Sequence, residues 1–353
     1  MKQDTPNITI KPVDSSYCQQ WNKFLESNIN ASFYHRCEWM DLNESCLGNR
    51  SYFLAAFDSS NTIVGAFPLI HVNSVLFGNI LCSMPFVNFG GPCSNDTAIQ
   101  EKLLEESLVL SRSLGADYLE IRSLQQLASP QIQLHTSLHK ISMSLQLSND
   151  PETVWNGFSS KHRTNIRRAY KNNLSVRSGH LELLDDFFTV LSGSWKNHGT
   201  PIYRKQYFES ILNRFGESTR IFVCYMGNNP VAAAFNGYYK NTVEGMWAGA
   251  LPEYRKAQPN YALYWDMIKD ASEKGFSSYH LGRSSAESNS EQFKKKWNAN
   301  ALQLYWQYAL NKNNEIPQLN VNNPKYDLAI KLWRKLPLQV TTLVGPLLAN
   351  RIP

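Results

Sequence analysis

The sequence lacks the short motifs that mark several common enzyme classes. It contains no P-loop of the G-x-x-x-x-G-K-[ST] form, no G-x-S-x-G nucleophile motif and no H-E-x-x-H zinc motif. Its eight histidines are scattered, and the one pair at ligand spacing, His135 and His139, is flanked by residues typical of a loop and a strand. We therefore exclude P-loop nucleotide hydrolysis, serine-hydrolase and zinc-protease chemistry, and we expect no metal site.

The sequence also lacks paired cysteines and long apolar runs. The six cysteines include no C-x-x-C pair, which predicts reduced, mostly buried thiols in a cytoplasmic protein. Residues 1–10 contain no apolar signal region, so we expect no secretion. Residues 336–350 carry no charge, but they are too few and too broken by proline and glycine to span a bilayer. We expect this segment either to pack across a domain or to lie in the membrane interface beside Arg334 and Lys335.

Acidic residues are absent from residues 153–181. That window carries +6, which equals the net charge of the whole chain, through six basic residues: Lys161, Arg163, Arg167, Arg168, Lys171 and Arg177. Residues 160–172 are predicted to be helical, and three of the six, Arg163, Arg167 and Lys171, are four residues apart and so share one face. Like charges at this spacing destabilise an isolated helix, which favours a phosphate-bearing partner. The alternative is an ordinary solvated helix face.

The two halves of the chain repeat one order of elements. In the first half, residues 51–57 and 63–72 are β-prone and flank a short turn; residues 220–226 and 231–239 do the same in the second. A helix and a further strand follow each hairpin. At 353 residues and 42% apolar composition, the chain is long enough for two domains with their own cores. We predict an α/β protein with mixed α+β sheets and a tandem duplication, divided into residues 1–148, residues 149–312, and a tail of residues 313–353 with a short helix.

Residues 243–306 contain the most informative pattern. Residues 243–250 read as a strand, residues 251–259 as a loop with two prolines, and residues 277–281 as a second short strand. Between them the apolar positions recur at helix spacing, which predicts a crossover unit with a parallel strand pair. The loop places backbone N–H groups and Arg255 at a helix N-terminus, where an anion is favoured.

This layout resembles the donor-binding half of the GNAT acyltransferase fold. Members of that family that bind acetyl-CoA usually carry R-x-x-G-x-G or R-x-x-G-x-A in this loop, whereas this chain has Gln258 and Asn260 at the two small-residue positions. The resemblance implies two GNAT-like domains. Only the second half keeps the Arg255 loop and the Gly282-Arg283-Ser284 segment, so we expect the second domain to hold the donor site and the first to shape an acceptor groove. We expect weak binding of CoA.

The segments Leu281-Gly-Arg-Ser-Ser and Phe293-Lys-Lys-Lys-Trp resemble the GRS…FKxxWG signature of the FemAB-type branch, and most closely its exosortase-associated (PEP-CTERM) members. The resemblance implies that Phe293 and Lys294 lie at the reaction centre and that Lys294 stabilises an oxyanion. Arg283 follows the end of a predicted strand, where α/β folds expose ligand-binding side chains, and Ser284 could bind the same ligand. The alternatives are that Lys294 is a solvated lysine and that the serines only hold a turn.

Several aromatic and polar residues near the donor loop are candidate acceptor contacts, although each could equally serve packing: Tyr203, Asn260, Tyr261 and Tyr264. The leading hypothesis is a transferase that moves an acyl or aminoacyl group onto an amine of a nucleotide- or lipid-linked precursor of the cell wall or of an exopolysaccharide. It would hold no resident cofactor; the donor would be aminoacyl-tRNA or acyl-CoA, and the location cytoplasmic or peripheral at the inner membrane. The alternatives are a non-catalytic duplicate that binds an anionic saccharide precursor or nucleic acid, and a CoA-dependent N-acetyltransferase.

Overall fold

The computed structural model describes residues 8–74, 77–312, 315 and 324–352. The chain divides into two compact units. Unit 1 consists of Met1–Lys140, Gln303–Gln318 and Asn350–Pro353, and unit 2 consists of Ile141–Leu302 and Leu319–Ala349.

Both units combine strands and helices. The strands of the described residues are β1 (Thr9–Val13), β2 (Arg50–Phe57), β3 (Ile63–Ser74), β4 (Gly78–Cys82), β5 (Tyr118–Ser123), β6 (His135–Gln146), β7 (Leu174–Gly179), β8 (Thr219–Met226), β9 (Asn229–Tyr239), β10 (Thr242–Ala250), β11 (Ser278–Ser285) and β12 (Asn300–Leu310). The α-helices are α1 (Cys18–Ser27), α2 (Glu38–Ser45), α3 (Thr97–Ser113), α4 (Pro151–Gly157), α5 (Ser160–Lys171), α6 (Leu184–His198), α7 (Lys205–Phe215), α8 (Pro259–Glu273), α9 (Asn289–Lys295), α10 (Pro324–Lys335) and α11 (Leu338–Ala349).

Unit 1 is an antiparallel meander that ends in a parallel crossover. Strands β1 to β4 pair antiparallel in sequence order, and β4 then pairs parallel with β5. The β2–β3 turn is held by Asp58, whose carboxylate accepts hydrogen bonds from the N–H groups of Ser60 and Thr62, both at 2.9 Å. The crossover helix α3 buries Leu103 and Leu104 in the core of the unit. The hairpin and the crossover predicted from the sequence are confirmed.

Unit 2 repeats this plan. Strands β7 to β10 pair antiparallel in order, β10 pairs parallel with β11, and helix α8 provides the crossover. Helix α8 buries Leu263, Met267 and Ala271 against the sheet, the spacing on which the helix was predicted. The predicted duplication is therefore confirmed at the level of topology. Strand β7 and helix α7 carried no clear sequence signal and were not predicted.

The linear domain ranges predicted from the sequence differ from these compact units. Strand β12 pairs antiparallel with β5 from Tyr305↔Ser123 to Leu310↔Tyr118. The chain therefore returns to unit 1 after Leu302, before the tail of unit 2 begins at Leu319. Such pairing between distant segments leaves no local trace in the sequence, because each strand shows only its own alternation.

A buried arginine, Arg122, lies just beyond the parallel pairing of β4 and β5 in unit 1. Arg122 is 1% exposed; its Nε lies 2.6 Å from Glu120 Oε1, and its guanidinium stacks 4.1 Å from the Trp306 ring. It also donates a hydrogen bond to the carbonyl oxygen of Pro85, and its own carbonyl accepts one from Gly90. The position just beyond the last parallel rung of unit 1 is therefore occupied by a buried, fully paired side chain.

The prediction of reduced cysteines is wrong for one pair. Cys18 and Cys37 form a disulfide, with their Cα atoms 5.3 Å apart. Helices α1 and α2 are brought together by Asn22 Oδ1, which accepts from the N–H of Cys37 at 3.1 Å, and by Trp21 Nε1, which donates to the carbonyl of His35 at 2.7 Å. The two cysteines are 19 residues apart, so no spacing motif revealed the pair.

The tail forms two helices. The first, α10, was predicted, whereas α11 extends through Gly345 and Pro346, which the sequence analysis took as breaks. No helix of the described residues is both long enough and apolar enough to cross a membrane.

Removing the charge of Arg122 should destabilise the protein strongly. Arg122→Met leaves Glu120 buried without its partner, a change that typically lowers the free energy of unfolding by about 3–5 kcal/mol. Urea denaturation followed by circular dichroism measures this. Lys205→Met, which removes an exposed ion pair with Asp185, is the control and should change little. Equal effects of the two substitutions would contradict a structural role for the buried pair.

Candidate functional site

Two glycines, Gly245 in β10 and Gly282 in β11, bring the backbones of these strands into close contact. Their parallel register runs from Thr242↔Ser278 to Glu244↔His280, and β10 then shifts register against β9 between Gly245 and Trp247. Gly282 has φ of 80°, and a Cβ there would lie 2.8 Å from the carbonyl oxygen of Gly245. A side chain at residue 282 would therefore be strained and would collide with backbone. The glycine lets β11 turn its carbonyl groups away from the regular ladder.

Lys294 occupies the space beside this turn. Helix α9 begins at Ser288, whose hydroxyl accepts from the N–H of Glu291, and packs against β11. The Lys294 side chain is 5% exposed. Its Nζ donates to the carbonyl oxygens of Gly282 at 2.8 Å and Arg283 at 3.1 Å, and lies 3.1 Å from Ser284 Oγ. All three N–H directions of an ammonium group are thus occupied.

Burial separates Lys294 from its two neighbours in the run of three lysines. Lys295 is exposed and forms an ion pair with Glu291 at 2.7 Å, and Lys296 is exposed. Burial, and then the charge of Arg283, lower the pKa of Lys294 to about 7. Both the ammonium and the amine are therefore populated near neutral pH. An anion bound at this amino group would favour the ammonium.

Arg283 and Ser284 lie in β11, which extends to Ser285, so the prediction that this strand ends at Leu281 is wrong. Ser284 is buried, and its hydroxyl bridges Lys294 Nζ and the hydroxyl of Ser290, which lies 3.1 Å away. Ser284 thus contacts side chains instead of only closing a turn through backbone hydrogen bonds. Direct contact of Arg283 or Ser284 with a ligand stays a prediction.

Aromatic rings pack around Phe293, the residue before Lys294. Phe293 packs edge-on against Tyr261 at 5.5 Å and Tyr264 at 5.1 Å, and the buried Trp297 stacks with Tyr264 at 5.8 Å. The structure therefore brings the two predicted tyrosines of α8 next to the predicted Phe293–Lys294 pair. The rigid packing of these rings fixes the orientation of α9.

His162 belongs to the same cluster and was not singled out from the sequence. It is 3% exposed, lies 4.3 Å from the Trp297 ring, and neither ring nitrogen finds a hydrogen-bond partner among the described residues. Burial, and then the charge of Lys296, lower the pKa of His162 to about 4. It is therefore a neutral packing histidine at physiological pH. The only sequence signal was its place opposite the basic face of a helix.

Two further predicted residues, Tyr203 and Arg255, belong to other parts of unit 2 than β11 and α9. Tyr203 is buried among aromatic side chains, with ring distances of 4.9 Å to Tyr207 and 5.9 Å to Trp195. These contacts account for its aromatic character, and its contact with an acceptor stays a prediction. Arg255 is exposed in the 3-10 turn Pro252–Ala257 that precedes α8.

The loop before α8 carries larger side chains than the acetyl-CoA-binding pattern, but at Gln258 it keeps a backbone conformation typical of glycine. Gln258 has φ of 63°, a conformation that favours glycine, and it immediately precedes α8. Asn260 follows it in the first turn of α8 and is partly buried. The loop thus keeps the backbone conformation while placing two polar side chains where the acetyl-CoA-binding pattern has small residues.

The predicted basic face lies on α5. Arg163 donates to the carbonyl of Asn156 at 3.2 Å, and the Arg167 guanidinium lies 5.2 Å from the Trp155 ring; Arg167 and Lys171 are exposed. None of the basic side chains of α5 forms an ion pair with an acidic residue in the part of the chain that the structure describes. The face therefore presents uncompensated positive charge. Binding of phosphate by it stays a prediction.

A buried carboxylate–imidazole pair lies at the last rung of the parallel ladder. His280 Nδ1 is 2.9 Å from Glu244 Oε1, and Glu244 is 2% exposed. Tyr279 and Leu281 pack in the core beside α8, so His280 lies on the opposite face of β11. Burial alone would lower the pKa of His280, but the charge and hydrogen bond of Glu244 outweigh it and raise the pKa above its usual value. Sequence reasoning missed this pair because its partners are 36 residues apart.

Comparisons with known proteins agree on the fold. A family model described as an acetyltransferase (GNAT) domain matches residues 160–295. No curated protein matches the sequence. The crystal structure of FemX aligns with a TM-score of 0.66 at 13% identity, covering 91% of this chain and 100% of that one.

Two further solved structures align over most of their lengths. A tandem GNAT protein from the clavulanic acid biosynthesis pathway has a TM-score of 0.56 and 11% identity, and covers 88% of this chain and 100% of its own. L-PGS from Bacillus licheniformis has a TM-score of 0.55 and 13% identity, and the alignment covers 95% of this chain and 98% of L-PGS. Likenesses at such low identity show the fold alone: the architecture is that of two GNAT-like domains, as predicted. Membership of the exosortase-associated branch stays a prediction.

Removing the carboxylate of Glu244 should lower the pKa of His280. In Glu244→Gln the favourable charge is lost while burial remains, so the imidazolium is disfavoured. The raised pKa of His280 contributes stability below the unfolded histidine pKa, and this contribution is lost as the pH rises through the folded value. The stability difference between wild type and variant should therefore shrink as the pH rises through that value. NMR titration of the histidine rings measures the pKa; Glu273→Gln, on the exposed side of α8, is the control. An unchanged titration in Glu244→Gln would contradict the coupling.

Proposed function

We propose that this protein transfers an acyl or aminoacyl group to an amine on a cell-wall or exopolysaccharide precursor, with Lys294 stabilising the oxyanion. The observation that carries the proposal is the burial of one amino group, Nζ of Lys294, against the carbonyl oxygens of Gly282 and Arg283 in β11. A buried lysine held by backbone carbonyls is expensive to maintain, because its charge has lost water. Such groups concentrate at functional sites.

The reaction fits a positioned cation. The acceptor nitrogen attacks the carbonyl carbon of an ester or thioester, and the carbonyl oxygen takes the electron pair. Collapse of this tetrahedral intermediate reforms the carbonyl, expels the alcohol or thiol portion of the donor, and leaves an amide after the nitrogen loses a proton. An N–H of Lys294 aimed at the oxygen lowers the barrier while the negative charge exists.

The hydrogen bonds of Lys294 make this stabilisation selective for the transition state. Its three acceptors are neutral: the carbonyl oxygens of Gly282 and Arg283 and the hydroxyl of Ser284. The Arg283 and Ser284 oxygens lie farther from Nζ, at 3.1 Å, than the Gly282 oxygen at 2.8 Å. A neutral donor carbonyl gains little by displacing one of them. A developing oxyanion gains more, since hydrogen bonds between charged groups are roughly twice as strong.

The proposed donor is aminoacyl-tRNA or an acyl-CoA that binds only weakly. Gln258 and Asn260 place side chains where a pyrophosphate needs to approach bare backbone, which disfavours CoA. The uncompensated cations of α5 suit the phosphates of a nucleotide- or lipid-linked acceptor or of tRNA. The likeness to FemX is compatible with aminoacyl transfer, and the acetyltransferase description of the matching family model is the competing reading.

Loss of the Lys294 charge should reduce turnover far more than binding. Donor and acceptor are first identified by screening labelled aminoacyl-tRNA and acyl-CoA against UDP-linked amino sugars. Lys294→Met should then lower kcat by roughly 100-fold or more with little change in acceptor affinity, as when one oxyanion donor is removed. The ammonium role also predicts that kcat/KM of the wild type falls as the pH rises through about 7.

Lys296→Met is the matched control, because Lys296 is exposed two residues away. Equal small effects of the two substitutions would remove the case for catalysis and favour a non-catalytic binding protein. A rate that rises with pH through the same range would instead make Lys294 a proton acceptor.

Neutralising the basic face should weaken binding of phosphate groups. Arg163→Gln, Arg167→Gln and Lys171→Gln together remove three phosphate partners, so calorimetry with inorganic pyrophosphate should show weaker binding and a shallower dependence on salt. A control triple variant with the same charge change on other surfaces carries Lys23→Gln, Arg112→Gln and Lys269→Gln. If both triple variants bind alike, the face is only solvated.

A further inference from the structure

Helix α11 presents its large apolar side chains to the outside and its small ones to the protein. Thr341, Gly345 and Ala349 are four residues apart and buried. Leu343 and Leu347, also four apart, are 78% and 67% exposed. A helix on the surface of a soluble protein normally shows the reverse arrangement.

Close packing explains the buried face. A Cβ on Gly345 would lie 3.0 Å from the carbonyl oxygen of Ile202, so the helix axis approaches the chain after α6 very closely. Only small residues fit there. That contact does not account for the outward leucines, since any polar residue would be tolerated at an exposed position.

Helix α10 carries a second pair of exposed leucines. Leu328 and Leu332, again four apart, are 69% and 56% exposed. The helix packs through Ile330, whose side chain would meet a Cβ on Gly199. Both helices therefore cover the same short segment after α6, residues 199–202. We name Leu328, Leu332, Leu343 and Leu347 the leucine surface.

The charges beside the leucine surface are mainly positive. Residues 324–349 contain four basic residues and one acidic residue, Asp327. Lys331 and Lys335 are exposed one turn apart on α10, while Arg334 is directed back to the carbonyl of His198 at 3.1 Å. Helix α11 itself carries no charge. Exposed leucines next to exposed lysines are the pattern of helices that lie in a membrane interface.

We propose that α10 and α11 dock on an anionic lipid bilayer, with the leucine surface at the acyl boundary and Lys331 and Lys335 at the headgroup phosphates. The positive charge decides for this partner over a second copy of the chain. A two-fold dimer through the same surface would bring the same lysines of both copies to one interface, which is unfavourable. An anionic bilayer instead supplies the opposite charge and the apolar layer together. The proposal does not depend on acyl transfer.

Vesicle sedimentation tests the proposal with the full-length protein. It should bind vesicles of phosphatidylcholine with phosphatidylglycerol and bind pure phosphatidylcholine vesicles much less. Leu343→Gln with Leu347→Gln should lower the partition coefficient by about tenfold for each leucine, because each removes a fully buried apolar side chain from the lipid. Lys331→Gln with Lys335→Gln should lower it by about fivefold for each lysine, and only at low salt.

The control variant carries Ile29→Gln and Val109→Gln, two exposed apolar residues of unit 1. It should bind vesicles like the wild type, and the melting temperatures of all variants should be unchanged because the replaced side chains are exposed. Absence of binding to anionic vesicles overturns the proposal, as does equal loss of binding in the leucine and control variants. A dimer in light scattering that dissociates in the leucine variant, with no vesicle binding, would assign the surface to a second copy.

Discussion

The close approach of two glycines in β10 and β11 is the constraint on which the candidate site depends. Gly245 and Gly282 bring backbone to backbone at a distance that no side chain tolerates. This contact turns the carbonyls of Gly282 and Arg283 toward α9, where they receive the amino group of Lys294. Without acceptors for each N–H, a lysine would not stay buried, because its desolvation would go uncompensated. The burial of Lys294 thus depends on the backbone geometry at Gly282.

The two units are built differently just beyond the last parallel rung of their sheets. In unit 1 the last parallel rung is Cys82↔Glu120, and Arg122, two residues further on, is buried and paired with Glu120. In unit 2 the corresponding rung is Glu244↔His280, and Gly282 stands two residues further on. A large, paired side chain in one unit and no side chain in the other account for the difference.

The candidate site was only partly predictable from the sequence. Within the run of three lysines, nothing in composition or spacing separates Lys294 from Lys295; the preference came from the resemblance, and burial then set Lys294 apart. The basic face of α5 was predictable, because helix periodicity and the missing acids are both local. The pair of Glu244 and His280 was not, since each residue looks like an ordinary polar position in its own strand.

The sequence by itself determined the local elements: two hairpins, two crossover helices and a basic helix, because periodicity and turn residues act over a few positions. It also determined the repeat of these elements, and hence the fold class. Only the tertiary structure decided that β12 returns to unit 1, that Cys18 meets Cys37, and that the leucines of α11 face outward. Each of these features depends on contacts between segments that are far apart in the sequence. The free energy of such contacts cannot be assigned from either segment alone.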